Sequence, residues 1–86
     1  MSKKDRLYTT WSRIRQQCNS RTHPSFNHYG GRGIIICEEW DEFSVFCDWA
    51  IKNGWDSTAT NCYIGRYDPD DDFYPDNCFV YKKNPR

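Results

Sequence analysis

Leu7, Trp11, Ile14 and Cys18 recur at i, i+4, i+7 and i+11, the spacing that aligns four apolar side chains on one stripe of an α-helix. A first helix over about residues 5–19 follows, with Arg6, Arg13, Arg15 and Gln16 mostly off the stripe. Phe43, Phe46, Cys47, Ala50 and Ile51 repeat the same periodicity. They predict a second helix as the central packing element, with Asp41 as N-cap, Glu42 against the positive end of its dipole and Asn53-Gly54 as its stop. Between the helices, 19–27 carries Ser, Thr, Pro and Asn and reads as irregular. YGGRGI (29–34) has three glycines in four positions, which predicts a tight turn that lets another stretch of chain approach closely. The continuous apolar run 34–37 reads as a short strand buried on both faces. Residues 61–66 and 77–81 read as two strands of a hairpin with a long connection. The expected fold class is α+β, one domain over residues 1–86: two helices, a glycine-rich turn with a short strand, and a C-terminal β-hairpin.

Composition supplies the reinforcement such a small core needs. At 86 residues, backbone entropy nearly cancels apolar burial, but four Trp, six Tyr and five Phe supply large buried areas from few positions. No run of 18 apolar residues exists, and MSKKDRLYTT lacks the apolar stretch of a signal peptide. The expectation is a cytoplasmic protein without a membrane partner. Cys18, Cys37, Cys47, Cys62 and Cys78 include no C-x-x-C pair. They suit small apolar core positions; the sharper alternatives are a zinc site from Cys18, Cys37 and Cys78 with His23 or His28, or a disulfide. No cofactor is expected.

Net charge is zero but segregated. Residues 1–36 hold seven basic residues (Lys3, Lys4, Arg6, Arg13, Arg15, Arg21, Arg32) against Asp5, whereas residues 37–78 hold eleven carboxylates against Lys52 and Arg66. Such blocks give either one basic and one acidic face or, if folding brings them together, mutual cancellation. Arg13, Arg15, Arg21, Arg32, Lys82 and Lys83 are candidate phosphate contacts, with exposed Tyr or Trp rings available for stacking.

The stretch GRYDPDDDFYPDNC (65–78) places five carboxylates in nine positions. Asp68, Asp70 and Asp72 have the 1, 3, 5 spacing of a calcium loop, but position 6 is Phe73 rather than Gly and position 12 is Phe79 rather than Glu. A weak Mg²⁺ site and a solvated turn are the other readings. Tyr67, Asp70, Asp71, Phe73 and Tyr74 are candidate anchors for a protein partner, because rings beside charge supply burial that charges do not.

W-x₆-C in the first helix, YGGRGI-x₂-C-x₂-W, the F-x₂-F-x-x-WA-x₃-G helix and YPDNC together resemble small phage and prophage proteins of the HNH endonuclease-like group, in the His-Me finger superfamily. The resemblance runs from about Leu7 to Tyr81. In that family the matching segment reads like L-D-R-I-D-N-D-G-N-Y-x-P-x-N-C-R-W-V, which lays the family's arginine on Arg66, an aspartate on Asp68, the tyrosine on Phe73, the proline on Pro75, and the asparagine and cysteine on Asn77 and Cys78. The resemblance implies a degenerate ββα-metal finger whose remnant site is Arg66, Asp68, Asp72 and Asn77.

Departures from the family pattern remove the chemistry. A His-Me finger activates water with a histidine while a divalent metal stabilises the leaving oxygen. The metal-side aspartate falls on Gly65, no histidine follows His28, and only about five residues follow Tyr81 where the closing helix is expected. The leading expectation is an inactive HNH-like phage protein that binds nucleic acid in the host cytoplasm. One alternative is a phage inhibitor of a host nucleic-acid-processing or defence protein, its carboxylates imitating phosphates. The other is an active nickase using Asp68, Asp72 and Asn77.

Overall fold

A computed structural model describes residues 6–56, 58–59 and 61–83. Lys3, Lys4 and Asp5 of the basic block, and Arg86, lie outside the described residues.

Helix α1 spans Arg6–Asn19 and buries Leu7, Trp11, Ile14 and Cys18, the predicted stripe, together with Thr10. Helix α2 spans Phe43–Lys52 and packs against α1; its Phe46 and Ala50 are buried, while Phe43 and Cys47 are half-buried and Ile51 is exposed. Strands β1 (Cys62–Arg66) and β2 (Cys78–Lys82) pair antiparallel, with Tyr63 opposite Tyr81, Ile64 opposite Val80 and Gly65 opposite Phe79. The fold is α+β with a C-terminal hairpin. Among the described residues no helix is long and apolar enough to cross a membrane.

Two local expectations are corrected. The run 34–37 forms no two-sided strand: it makes a single parallel bridge, Ile36 to Phe73, and Ile35 between the buried Ile34 and Ile36 is 54% exposed. One neighbour covers only one face, so the residues alternate in and out. Asp41 is not the N-cap of α2. It closes a 3₁₀ turn over Glu38–Asp41 and its carboxylate lies 3.5 Å from the Arg15 guanidinium; Glu42 takes the cap position without a side-chain cap bond. The 3₁₀ turn brings Trp40 into the core, where its carbonyl accepts a hydrogen bond from Trp11 Nε1 at 2.7 Å. The predicted stop is observed, with the Asn53 amide donating to Trp49 and Ala50 carbonyls and Gly54 at φ 107°.

The glycine turn does what its composition requires. Gly30–Arg32 forms a 3₁₀ turn ending at Gly33 in the left-handed region, and a Cβ on Gly30 would lie 2.2 Å from the Cys18 carbonyl oxygen and 2.4 Å from the Phe26 ring. Here the close approach is to the C-terminal end of α1.

Candidate functional site

The loop between β1 and β2 is tied together by its own polar groups. Asn77, 5% exposed, is its centre: Oδ1 accepts from the Asp68 N–H at 3.0 Å, and Nδ2 donates to the carbonyls of Asp68 (3.1 Å) and Asp72 (2.9 Å). Its own carbonyl accepts from the Tyr67 N–H at 2.8 Å. Arg66 spans the loop from the other side, with Nη1 donating to the Pro69 and Asp71 carbonyls, both at 2.8 Å, and its guanidinium 4.4 Å from the centre of the Phe73 ring.

Three of the carboxylates accept backbone amides, two of them within the loop. Asp68 Oδ1 takes the Asp70 N–H, Asp71 Oδ1 takes the Asp72 N–H, and Asp72 Oδ1 takes the Ile35 N–H at 3.0 Å. Asp70 pairs with Arg32, and Asp71 Oδ2 accepts from the Tyr74 hydroxyl at 2.7 Å. That bond, followed by the Asp72 N–H, holds the Asp71 carboxyl below its ordinary range and raises the Tyr74 hydroxyl.

The remnant set Arg66, Asp68, Asp72 and Asn77 is thus brought together, but through backbone carbonyls and amides. The calcium-loop carboxylates Asp68, Asp70 and Asp72 each serve a different partner: a turn amide, Arg32 and the Ile35 amide. Among the described residues no group of three or more His, Cys, Asp or Glu side chains is placed to hold a metal ion. The calcium-loop set does not gather its carboxylates around a common point, and Cys18, Cys37 and Cys78 do not assemble with His23 or His28; in the nickase set, Asp68 and Asp72 each accept a backbone amide and Asn77 bonds the loop backbone. His23 Nδ1 instead accepts from the Ser25 N–H. No disulfide joins any of the five cysteines, so the disulfide alternative is not formed.

Burial lifts the Cys18 and Cys78 thiols from 9.0 to about 11, partly opposed by the Arg66 charge. An unfolded chain ionises these groups near 9 and the folded chain near 11, so the folded state keeps protons that the unfolded state loses. Stability is therefore expected to fall as pH rises from about 9 to about 11. Thermal melts followed by circular dichroism across that range check it; a level melting temperature would contradict the burial of these thiols.

Of the candidate protein anchors, Phe73 is corrected: it is 5% exposed, packed 5.9 Å from the Tyr29 ring and covered by Arg66. Its position between Ile35 and Cys37, to which its backbone bonds, turns it inward. Tyr74 is half-buried on Asp71, whereas Tyr67 is 71% exposed. The two charge blocks are partly cross-linked, since Arg15 meets Asp41 and Arg32 meets Asp70; Lys82 lies 3.9 Å from Asp56. Such exposed pairs stabilise little, about 0–1 kcal/mol each, yet they reduce the separation of charge.

Arg13 and Arg21 are exposed. Arg13 lines a groove of about 230 Å³ between α1 and β1, with Gln17 beside it and Tyr29, Ile64, Arg66 and Pro69 opposite. Gln17 and Tyr29 were not among the sequence candidates. The signal for Gln17 was its place one helical turn after Arg13.

Gly65, where the family resemblance places a metal ligand, has a packing role. A Cβ there would meet the Phe79 ring at 2.6 Å and the Tyr81 ring at 3.2 Å. Gly65→Asp is expected to displace the Phe79 ring, lower stability by about 1 kcal/mol and produce no plasmid nicking in Mg²⁺ or Mn²⁺. Nicking by that variant would show that one ligand was all the site lacked.

The fold and loop define a small α+β protein whose acidic hairpin connection is a self-bonded scaffold beside a cationic groove. Comparison of the chain with protein-family models, curated proteins and solved structures finds no match in any of the three.

Proposed function

We propose that this protein binds nucleic acid without cutting it, as a degenerate member of the HNH-like phage group. The observation that carries the reading is the groove between α1 and β1. Arg66 is fixed there by two carbonyls and an aromatic face, and Arg13 and Gln17 stand on the opposing helix. A fixed guanidinium facing a second cation is suited to a phosphate, because the charge needs little reordering on binding. Arg21 at the end of α1 and Lys83 beyond β2 extend the basic contacts. Arg15, Arg32 and Lys82 contribute less, being paired with Asp41, Asp70 and Asp56.

Cleavage is disfavoured by where the loop's polar groups point. A nuclease carboxylate must present free oxygens to a metal, whereas Asp68 and Asp72 each direct an oxygen at a backbone amide and Asn77 spends its amide on the loop. The alternative of a host-protein inhibitor is less well supported, because Phe73 is buried and Tyr74 is tethered.

Fluorescence anisotropy with labelled DNA tests the reading. Affinity is expected to fall steeply with salt, and Arg13→Ala is expected to weaken binding and reduce the salt slope by about one. Weak binding at low salt with no dependence on ionic strength would exclude it.

A further inference from the structure

The hairpin has two faces, and only one of them packs into the core. Alternation along β1 and β2 sends Cys62 and Cys78 inward, where both are buried. The opposite face carries Tyr63, Tyr67, Phe79 and Tyr81, which form a continuous row: Tyr67 to Phe79 is 4.6 Å between ring centres, Phe79 to Tyr81 5.7 Å, and Tyr81 to Tyr63 5.8 Å. The rings lie across Gly65, which has no side chain to lift them from the strand. Tyr67 is 71% exposed and Tyr81 37%.

Two cations sit at one end of the row. The Arg6 guanidinium is 4.9 Å, and the Lys83 ammonium 5.0 Å, from the centre of the Tyr63 ring. In a chain with twelve carboxylates, β1 and β2 themselves contain none.

We infer that this face is a stacking platform for a single-stranded polynucleotide, with bases on Tyr67, Phe79 and Tyr81 and phosphates at Arg6 and Lys83. The inference rests on the nucleic-acid reading above and specifies its substrate as unpaired strand. Three features favour that occupant over an apolar protein segment. The row is aromatic rather than aliphatic, so it offers π-faces to bases; three of its four rings carry hydroxyls compatible with water; and the adjoining charge is positive, complementary to phosphate. A duplex keeps its bases stacked on one another and gains nothing from the rings, while its phosphates remain able to meet the groove between α1 and β1.

The test compares a labelled oligothymidylate of about twelve nucleotides with a duplex of the same length, in anisotropy titrations at about 50 mM salt. The proteins are the wild type, Tyr67→Leu and Tyr67→Leu/Tyr81→Leu; leucine keeps apolar bulk and removes the ring. Single-strand affinity is expected to fall about tenfold or more in the double variant and by a smaller factor in Tyr67→Leu, with duplex affinity within about twofold of wild type. Tyr67 is exposed enough that its single variant keeps the fold and reads stacking directly. If wild type binds both probes and the variants leave single-strand affinity unchanged, the platform is refuted while phosphate binding stands. If wild type binds neither probe, both readings fall. Sedimentation showing a wild-type dimer that the double variant dissociates would also overturn the inference, by assigning the face to a second copy of the chain.

Discussion

Gly30→Ala is expected to lower the melting temperature by about 12–24 °C, the shift that a loss of about 3 kcal/mol produces in a domain of this size. The added Cβ would fall 2.2 Å from the Cys18 carbonyl oxygen and 2.9 Å from its carbonyl carbon. Those are backbone atoms, at the C-terminal end of a helix whose Cys18 is itself packed in the core, so no rotamer change relieves the contact. The Phe26 ring, 2.4 Å from the same point, blocks the other direction. Either α1 moves relative to the turn, unpacking Ile14 and Cys18, or the turn opens and Ile34 leaves the core. Total stability for 86 residues is about 4–13 kcal/mol, so the loss is a large fraction of it. Gly33→Ala makes the comparison informative: Gly33 has open space around it but φ 85°, and its cost of about 1 kcal/mol is that of backbone strain alone. Circular-dichroism melts of the two variants measure the difference; equal small losses would mean that the turn is not pressed against α1.

Asn77→Ala is expected to cost about 2–4 kcal/mol, and Asn77→Asp at least as much. Alanine removes three hydrogen bonds at once from a buried side chain and takes the partner from the Asp68 N–H and from the Asp68 and Asp72 carbonyls. Aspartate keeps an acceptor for the Asp68 N–H but turns a carboxylate oxygen toward two carbonyl oxygens, replacing attraction with repulsion. A catalytic asparagine makes the opposite prediction, since its loss abolishes activity while leaving stability nearly unchanged. Urea unfolding of both variants separates the cases: a midpoint shift with unchanged m-value is the expected result, and wild-type stability would contradict the scaffold.

The helices were legible because their pattern is local. Leu7, Trp11, Ile14 and Cys18 define a face by spacing alone, and Asn53-Gly54 marks a stop by backbone preference. The hairpin was legible for the same reason, as was the close approach at the glycine turn, although the sequence did not reveal that Cys18 is what approaches. Three features were hidden because they depend on partners distant in the chain. Ile34–Ile35–Ile36 carries no sign that only one neighbour covers it. Asp41 has the chemistry of a cap, but Trp40 enters the core just before it and the chain continues as a 3₁₀ turn. Phe73 sits among charges and reads as surface until the bridge to Ile36 draws it inward.

The acidic loop shows how composition misleads about chemistry. Five aspartates suggest a cation site, but aspartate is also a strong acceptor for amides in tight turns; Asp68 and Asp71 take that role, and Asp72 accepts from the distant Ile35 N–H. Only their bonds distinguish the two uses. The aromatic row, by contrast, had a readable signal: rings at 63 in one strand and 67 just beyond its end, and at 79 and 81 in the other strand, share a parity that places them on one face once the register is known.

The most direct test of binding without cleavage is to incubate labelled DNA with the protein in Mn²⁺ at low salt, confirm the gel shift, and then strip the protein and resolve the strands under denaturing conditions. The account predicts a shift that added salt reverses and strands recovered at full length. Shortened strands from wild type, absent when Asp72→Ala is used, would contradict it.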